Sequence, residues 1–180
     1  VHLILDEVAT GFGRTGRMFA CEHAGVEPDL MCLSKGITAG YLPLGATLTT
    51  DEIYEAFCDD CDRRKTFYHG HTYTANPLSS AAALASLEVF EKEETLKRVE
   101  GLIPLFHDGM ERFRPLDIVG DVRYTGLIGA LELVKDKKRK TAFGANGKIG
   151  QRVYGEGLKK NLILRPLGDI IYLYLPLCVT

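Results

Sequence analysis

The sequence predicts an α/β protein built on a mostly parallel sheet, followed by a smaller α+β unit. Three observations carry this expectation. The early apolar runs are continuous rather than alternating, as in strands covered on both faces. They alternate with helical segments at the spacing of strand–helix units. Beyond Pro115 the texture changes to short strands grouped around glycines. The chain has 180 residues, enough for one ordinary domain or pieces of two.

The first apolar run is His2-Leu3-Ile4-Leu5-Asp6-Glu7-Val8, ending in acid. A glycine-rich turn at residues 11–16 comes next. Pro28-Asp29 then breaks the chain before a second buried strand over residues 30–34, and residues 44–49 read as a third. Thr50 stands where it can cap a helix opening on Asp51-Glu52. Asn76-Pro77 marks a further helix start, a capping side chain followed by proline at the first helical position. The alanine-rich residues 78–92 continue it. Leu96, Val99, Ile103, Phe106, Met110 and Phe113 recur at spacings of three and four, the stripe of an amphipathic helix. Pro104 inside that stripe is expected to kink or split it. Strands follow over residues 118–124 and 127–134, then a charged loop, a helix over 148–160, and strands over 162–165 and 170–175. The domain boundary falls within the helix near residues 93–115, giving units of 1–100 and 101–180.

Composition excludes several classes of function. With 22 basic and 24 acidic residues the formal charge is −2, so no basic stripe is available to neutralise a nucleic-acid backbone. The densest basic run, residues 135–140, contains Asp136 and reads as a solvated loop. Five cysteines, an odd number, suit a reducing compartment and hence the cytoplasm. Cys58 and Cys61 form a lone C-x-x-C, whereas a structural zinc site draws four ligands, normally from two such pairs, so no metal is expected. No apolar stretch approaches the roughly 20 residues of a membrane-spanning helix. The chain opens on an apolar strand and stops just after another apolar run, where natural termini fray in polar residues. It is expected to be an internal piece of a longer protein.

The chemistry gathers on three positions. Asp6 ends one apolar strand, Lys35 ends another 29 residues later, and Arg165 ends a third far downstream. In parallel α/β sheets the carboxyl ends of strands form the rim where ligands bind. An acid and a lysine on neighbouring strand ends suit pyridoxal phosphate, whose aldehyde is held by a lysine amine and whose ring nitrogen pairs with an acid. Partial burial of the lysine is expected, because a low-polarity setting favours the neutral amine that attacks. Freed by exchange with substrate, the same amine serves as general base and acid. Taken singly, an acid or a lysine after an apolar run is usually a loop residue. A competing pattern is Gly11-Phe12-Gly13-Arg14-Thr15-Gly16, which fits the dinucleotide fingerprint of a nicotinamide-dependent oxidoreductase. That fingerprint passes directly from strand to glycine to long helix; here residues 6–10 intervene, and only about ten residues separate the turn from Gly25.

The blocks Leu5-Asp6-Glu7-Val8-Ala9-Thr10-Gly11-Phe12-Gly13-Arg14-Thr15-Gly16, Pro28-Asp29-Leu30 and Ser34-Lys35-Gly36-Ile37 together resemble the signature of class III (subgroup II) aminotransferases of fold type I. The likeness runs from residue 1 to about 180. It implies that residues 1–100 are the C-terminal part of a large cofactor-binding domain and residues 101–180 an incomplete small domain. It implies that Lys35 carries pyridoxal 5'-phosphate, Asp6 pairs with the ring nitrogen and Val8 packs on the ring face. In His69-Gly70-His71-Thr72-Tyr73-Thr74-Ala75-Asn76, Thr72 resembles the residue that reaches the cofactor phosphate of a neighbouring subunit in a homodimer, and Gly70 faces substrate. Ala75 departs from the family pattern, where glycine is expected. Arg165, in Leu164-Arg165-Pro166-Leu167-Gly168-Asp169, resembles the arginine that grips a substrate carboxylate, with Tyr172 lining the pocket. Within the family these blocks resemble most the biotin-pathway branch, which uses S-adenosylmethionine or lysine as donor, ahead of the ω-amino-acid transaminases. The implied partners are a small amino donor and a keto acceptor. The segments that would stack on the ring and wrap the phosphate are not in this sequence, so the chain alone is expected to hold cofactor poorly and to be inactive.

Overall fold

A computed structural model describes residues 1–179, apart from the side chains of Cys61 and Ala145. The chain divides into two units, Val1–Leu96 and Lys97–Thr180. The first unit is organised on a three-stranded sheet ordered β1 (Ile4–Asp6), β2 (Leu30–Leu33), β3 (Ala46–Thr49). β1 and β2 run parallel, with Asp6 opposite Cys32, and the Glu7 amide extends their ladder by donating to the Cys32 carbonyl at 2.9 Å. β3 runs antiparallel to β2, so the sheet is mixed. Parallel strands need a crossover of a dozen or more residues, usually through a helix. The link between β2 and β3 holds only a tight turn at Lys35–Thr38, so the chain doubles back.

Alternation along the strands sorts their side chains. Glu7, Met31 and Leu33 face a core completed by Phe12, with Met18, Phe19, Leu87 and Phe90 packed against it. On the other face Ile4 is 61% exposed, so the expected two-sided burial of β1 is not met within this chain. One layer, formed by the glycine-rich segment and one helix, covers one side only. That helix is α2 (Pro77–Lys92), preceded by the short α1 (Asp51–Glu55). Asn76 caps α2, its Oδ1 accepting from the amides of Leu78 and Ser79 at 3.0 and 3.1 Å. Buried Ser79 and Ala83 continue into Leu87 and Phe90, a stripe whose small residues let α2 lie close to the sheet. Thr50 occupies the N-cap of α1, but its side chain makes no capping bond. Cys58 is exposed, whereas the side chain of its C-x-x-C partner Cys61 lies outside the described residues.

α3 (Thr95–Glu111) runs through Pro104 without a break. Proline removes the hydrogen bond to the Glu100 carbonyl, but Glu100 is exposed, so water can take the donor's place. The second unit carries a four-stranded antiparallel sheet from β4 (Val119–Thr125), β5 (Ile128–Leu133), β6 (Arg165–Leu167) and β7 (Ile170–Tyr174), in the order β4-β5-β7-β6. Met110 of α3 packs with Val119, Val122, Leu131, Leu133 and Ile171, and Ile149 opens α4 (Ile149–Leu158) in the same core.

The strand expected over residues 162–165 lies further on, at Arg165–Leu167. Residues before it turn back onto α4: the Leu162 amide donates to the Gly157 carbonyl at 2.9 Å, and the Leu164 side chain meets Gly157. α4 also lies directly on the β6–β7 turn, for a methyl at Gly150 would stand 2.2 Å from the Gly168 carbonyl oxygen and 2.8 Å from the Pro166 side chain. Gly150→Ala is therefore expected to destabilise the fold by roughly 1–3 kcal/mol through overpacking, outweighing the ~1 kcal/mol that alanine gains in a helix. A denaturant midpoint at or above that of the parent would refute this close approach. Among the described residues, no helix is long and apolar enough to cross a membrane.

Candidate active site

Asp6 and Lys35 leave neighbouring parallel strands at the same, carboxyl edge of the sheet. Asp6 is exposed, and its Oδ1 accepts from the Val8 amide at 2.9 Å. That bond fixes the carboxylate at the strand tip and leaves its second oxygen for another donor, while turning half-buried Val8 beside it. Lys35 is exposed rather than partly buried, because it begins the turn that carries the chain off the sheet. Its backbone is left-handed, φ 45°, and so is that of Ala39, φ 52°. Two strained non-glycine residues within one tight turn persist only where the surroundings hold them. Here the Ser34 hydroxyl donates to the Leu44 carbonyl at 2.7 Å and the Thr38 hydroxyl to the Leu42 carbonyl at 2.6 Å. These bonds fold residues 39–44 back over the turn and leave an open depression of about 370 Å³ beside Lys35. Phe12 packs on the far side of that turn; a methyl at Gly36 would lie 2.8 Å from Phe12, so glycine is required directly after the lysine.

The segment with the dinucleotide-like pattern is part of this core. Gly11, Phe12 and Gly13 are buried, and only a four-residue turn at Ala20–His23 follows, where a nucleotide site needs the open N-terminus of a long helix. Its organiser is Glu7, 3% exposed. One carboxylate oxygen accepts from the Thr10 hydroxyl, and the other accepts from the Cys21 amide at 2.8 Å. Burial, and then the Glu7 and Glu22 carboxylates, push the Cys21 thiol up, so it stays protonated and packs as an apolar group. Beyond Glu7, His23 Nε2 stands 3.1 Å from both the carbonyl and the hydroxyl oxygen of buried Thr15. Glu7, Phe12 and Gly36 were not singled out from the sequence as functional. The signal available was alternation, which puts Glu7 on the core face and Asp6 on the open one.

Gly70 and Thr72 lie on the exposed segment before α2. His71 organises it: its carbonyl accepts from the Thr74 amide at 3.0 Å, its Nδ1 from the Tyr73 amide at 3.1 Å, and its own amide donates to the Thr74 hydroxyl at 3.0 Å. A methyl at Gly70 would meet only the Thr74 hydroxyl, at 3.5 Å, so local packing does not demand glycine there. Ala75, where glycine was expected, adopts φ 55°. The difficulty is backbone strain, since L-residues pay roughly 1–2 kcal/mol in that region. Ala75→Gly is expected to raise stability by about 1 kcal/mol, read as a higher melting temperature; an unchanged or lower value would show the turn to be unstrained.

Arg165 belongs to the second unit. It opens edge strand β6 instead of ending a strand of the parallel pair, so it does not share the sheet edge of Asp6 and Lys35. Pro166 is tolerated because β6 is an edge strand. Register places Arg165 directly opposite Tyr172, so the guanidinium and the phenol rise from one face of a hairpin. Arg165 is exposed and Tyr172 half-buried. The candidate residues thus fall into three groups: Asp6, Val8 and Lys35 on one sheet edge, Gly70 and Thr72 on one segment, and Arg165 with Tyr172 on one hairpin.

Comparison with known proteins places the chain as a whole. The family model described as "Aminotransferase class-III" matches residues 1–180. The adenosylmethionine-8-amino-7-oxononanoate aminotransferase of Aquifex aeolicus is 52% identical over 177 residues, covering 98% of this chain and 39% of that protein. The enzyme of the same name from Methanocaldococcus jannaschii is 50% identical, covering 100% of the chain and 40% of that protein. Its crystal structure superposes with a TM-score of 0.97 at 49% identity, over 100% of this chain and 42% of that one. The omega transaminase of Pseudomonas jessenii in complex with PMP gives a TM-score of 0.94 at 34% identity, over 100% of this chain and 40% of that one. The chain thus spans 39–40% of the length of these curated relatives. The match runs from end to end and is shared by sequence and structure: the chain is a member of the class III aminotransferase family, with the fold of the type I pyridoxal-phosphate-dependent enzymes.

Proposed function

We propose that the chain supplies the lysine-bearing part of a pyridoxal-phosphate aminotransferase that aminates 8-amino-7-oxononanoate to 7,8-diaminononanoate, a step of biotin biosynthesis. The observation that carries the reading is the exit of Asp6 and Lys35 from adjacent parallel strands at one sheet edge. The residues fit the group: an exposed amine beside an open depression, and a carboxylate with one oxygen anchored and one unengaged by that anchor. Bound pyridoxal phosphate supplies an aldehyde that takes up amines and a ring that accepts the electron pair freed at the amine-bearing carbon.

Lys35 Nζ would hold the cofactor aldehyde and, once released by the donor amine, would serve as the base and acid that moves a proton at the substrate carbon. Asp6 would accept from the ring N–H and keep that nitrogen protonated, while Val8 would pack on the ring face. Thr72 would donate its hydroxyl to the phosphate of the cofactor held by the neighbouring protomer of a homodimer, and Gly70 would let the substrate approach the backbone closely. Arg165 grips the substrate carboxylate through two parallel N–H donors, with Tyr172 lining the pocket beside it. Residues 1–100 then form the C-terminal part of the cofactor-binding domain and residues 101–180 part of the small domain of a cytoplasmic enzyme.

A second reading, transfer from an ω-amino acid to pyruvate or 2-oxoglutarate, is favoured by the likeness to the omega transaminase. A protein of the relatives' full length carrying this chain separates the two. It is expected to form 7,8-diaminononanoate with S-adenosylmethionine or lysine as donor. Silence with that acceptor, together with alanine formed from an ω-amino acid and pyruvate, would replace the first reading with the second.

A further inference from the structure

Glu7 is a buried acid to which the proposed chemistry gives no task. Its exposure is 3%, yet each of its backbone and side-chain polar groups is engaged. The amide donates to the Cys32 carbonyl at 2.9 Å, tying the end of β1 to β2. The carbonyl accepts from the Gly11 amide at 2.9 Å, closing the turn that holds Val8. The carboxylate reaches Thr10 at the start of the glycine-rich segment and the Cys21 amide beyond its end. Gly11 is constrained by the same geometry, for a methyl there would lie 2.9 Å from the Glu7 carbonyl oxygen. From the middle of the segment, buried Phe12 presses on Gly36, next to Lys35.

From these contacts, and resting on the cofactor reading above, we infer that Glu7 is a positioning residue: its buried carboxylate closes the glycine-rich segment into a clamp that holds Asp6 and Val8 in register with the Lys35 turn. Asp6 stands on the opposite strand face, one residue away, so it takes its orientation from the backbone that Glu7 pins. The clamp reaches the lysine through Phe12 and the acid through the strand. Loosening it disturbs the acid and the lysine together, with neither side chain altered.

Four variants of a full-length protein carrying this chain test the inference. Glu7→Ala removes both carboxylate contacts, and Thr10→Val removes one while keeping side-chain shape. Glu7→Gln keeps both, since its amide oxygen accepts from Cys21 and its NH₂ donates to the Thr10 oxygen. Val122→Ala, in the core of the other unit, controls for a plain loss of stability. Three readouts are taken: the dissociation constant for pyridoxal phosphate, the pH midpoint of the bound cofactor's absorption band, and amide exchange at Gly11 and Cys21 in protein stripped of cofactor. Glu7→Ala and Thr10→Val are expected to weaken cofactor binding about 10–100-fold, the usual effect of removing a support behind a ligand-bearing side chain, to move the midpoint and to speed exchange. Glu7→Gln and Val122→Ala are expected to stay near the parent in all three. If Glu7→Ala does not fold, Thr10→Val and Glu7→Gln decide. The inference is overturned if Thr10→Val binds with the parent's constant and midpoint, if Glu7→Gln is as impaired as the alanine variant, or if the control moves equally. A parent protein that binds no cofactor at Lys35 would instead remove the functional reading itself.

Discussion

Lys35→Ala is expected to abolish covalent capture of pyridoxal phosphate and to slow turnover about 10⁴-fold, the upper end of what a positioned proton-transfer group contributes. The proposed mechanism gives the amine two tasks, holding the cofactor and moving the proton, and among the described residues no other lysine leaves the β1–β2 edge. Reductive trapping followed by peptide mass spectrometry checks the first task, and single-turnover rates check the second. The fold should survive: Lys35 is exposed, and its left-handed backbone is held by the Ser34 and Thr38 bonds around it. A cofactor adduct that persists on another residue, with turnover intact, would end the assignment of this edge as the active site.

Asp6→Asn is expected to keep much of the cofactor affinity while lowering the rate about 10²–10³-fold, as when one preorganised electrostatic partner is removed. The amide oxygen can still accept from the Val8 amide, so the strand tip keeps its shape. What goes is the negative charge that, in the proposed mechanism, would hold a proton on the ring nitrogen, and with it the pull on electrons from the substrate carbon. Titration of cofactor alongside pre-steady-state kinetics separates the two effects. Equal losses in binding and rate would mean that Asp6 is only a scaffold for the loop, and an unchanged rate would place the ring elsewhere.

Much of this organisation was legible in the sequence because local rules and tertiary packing agree. Asn76-Pro77 fixes the start of α2 by capping chemistry that needs no other part of the molecule. The acid and lysine at strand ends follow from strand length, and the structure sets them on one edge. Other features depend on long-range geometry. β3 runs antiparallel because its link to β2 lacks a crossover helix, and the run over residues 44–49 reads the same in either direction. Arg165 opens a strand because Leu162 and Leu164 fold back onto α4, a contact settled by Gly157 rather than by apolar pattern. The exposure of Ile4 departs from expectation because one layer covers one face of a three-stranded sheet, and that of Lys35 because it begins the turn that leaves the sheet. Glu7 went unmarked since a buried carboxylate is recognised only when its donors, Thr10 and Cys21, are seen to converge. The left-handed conformation of Ala75 gives a physical reason for the glycine expected there, a point that spacing alone does not reveal.

The β6–β7 hairpin has a consequence for how such proteins diversify. Leu167 pairs with Ile170 across the short turn at Gly168 and Asp169, and that turn locks Arg165 to Tyr172. With β7 held by β5, a slip of β6 by one position would send Arg165 to the reverse face and leave Tyr172 where it is. The register of β6 on β7 therefore decides whether guanidinium and phenol meet. Lengthening the turn by one residue would part the two, whereas swaps confined to residues 165 and 172 can exchange one recognition chemistry for another without redrawing the backbone.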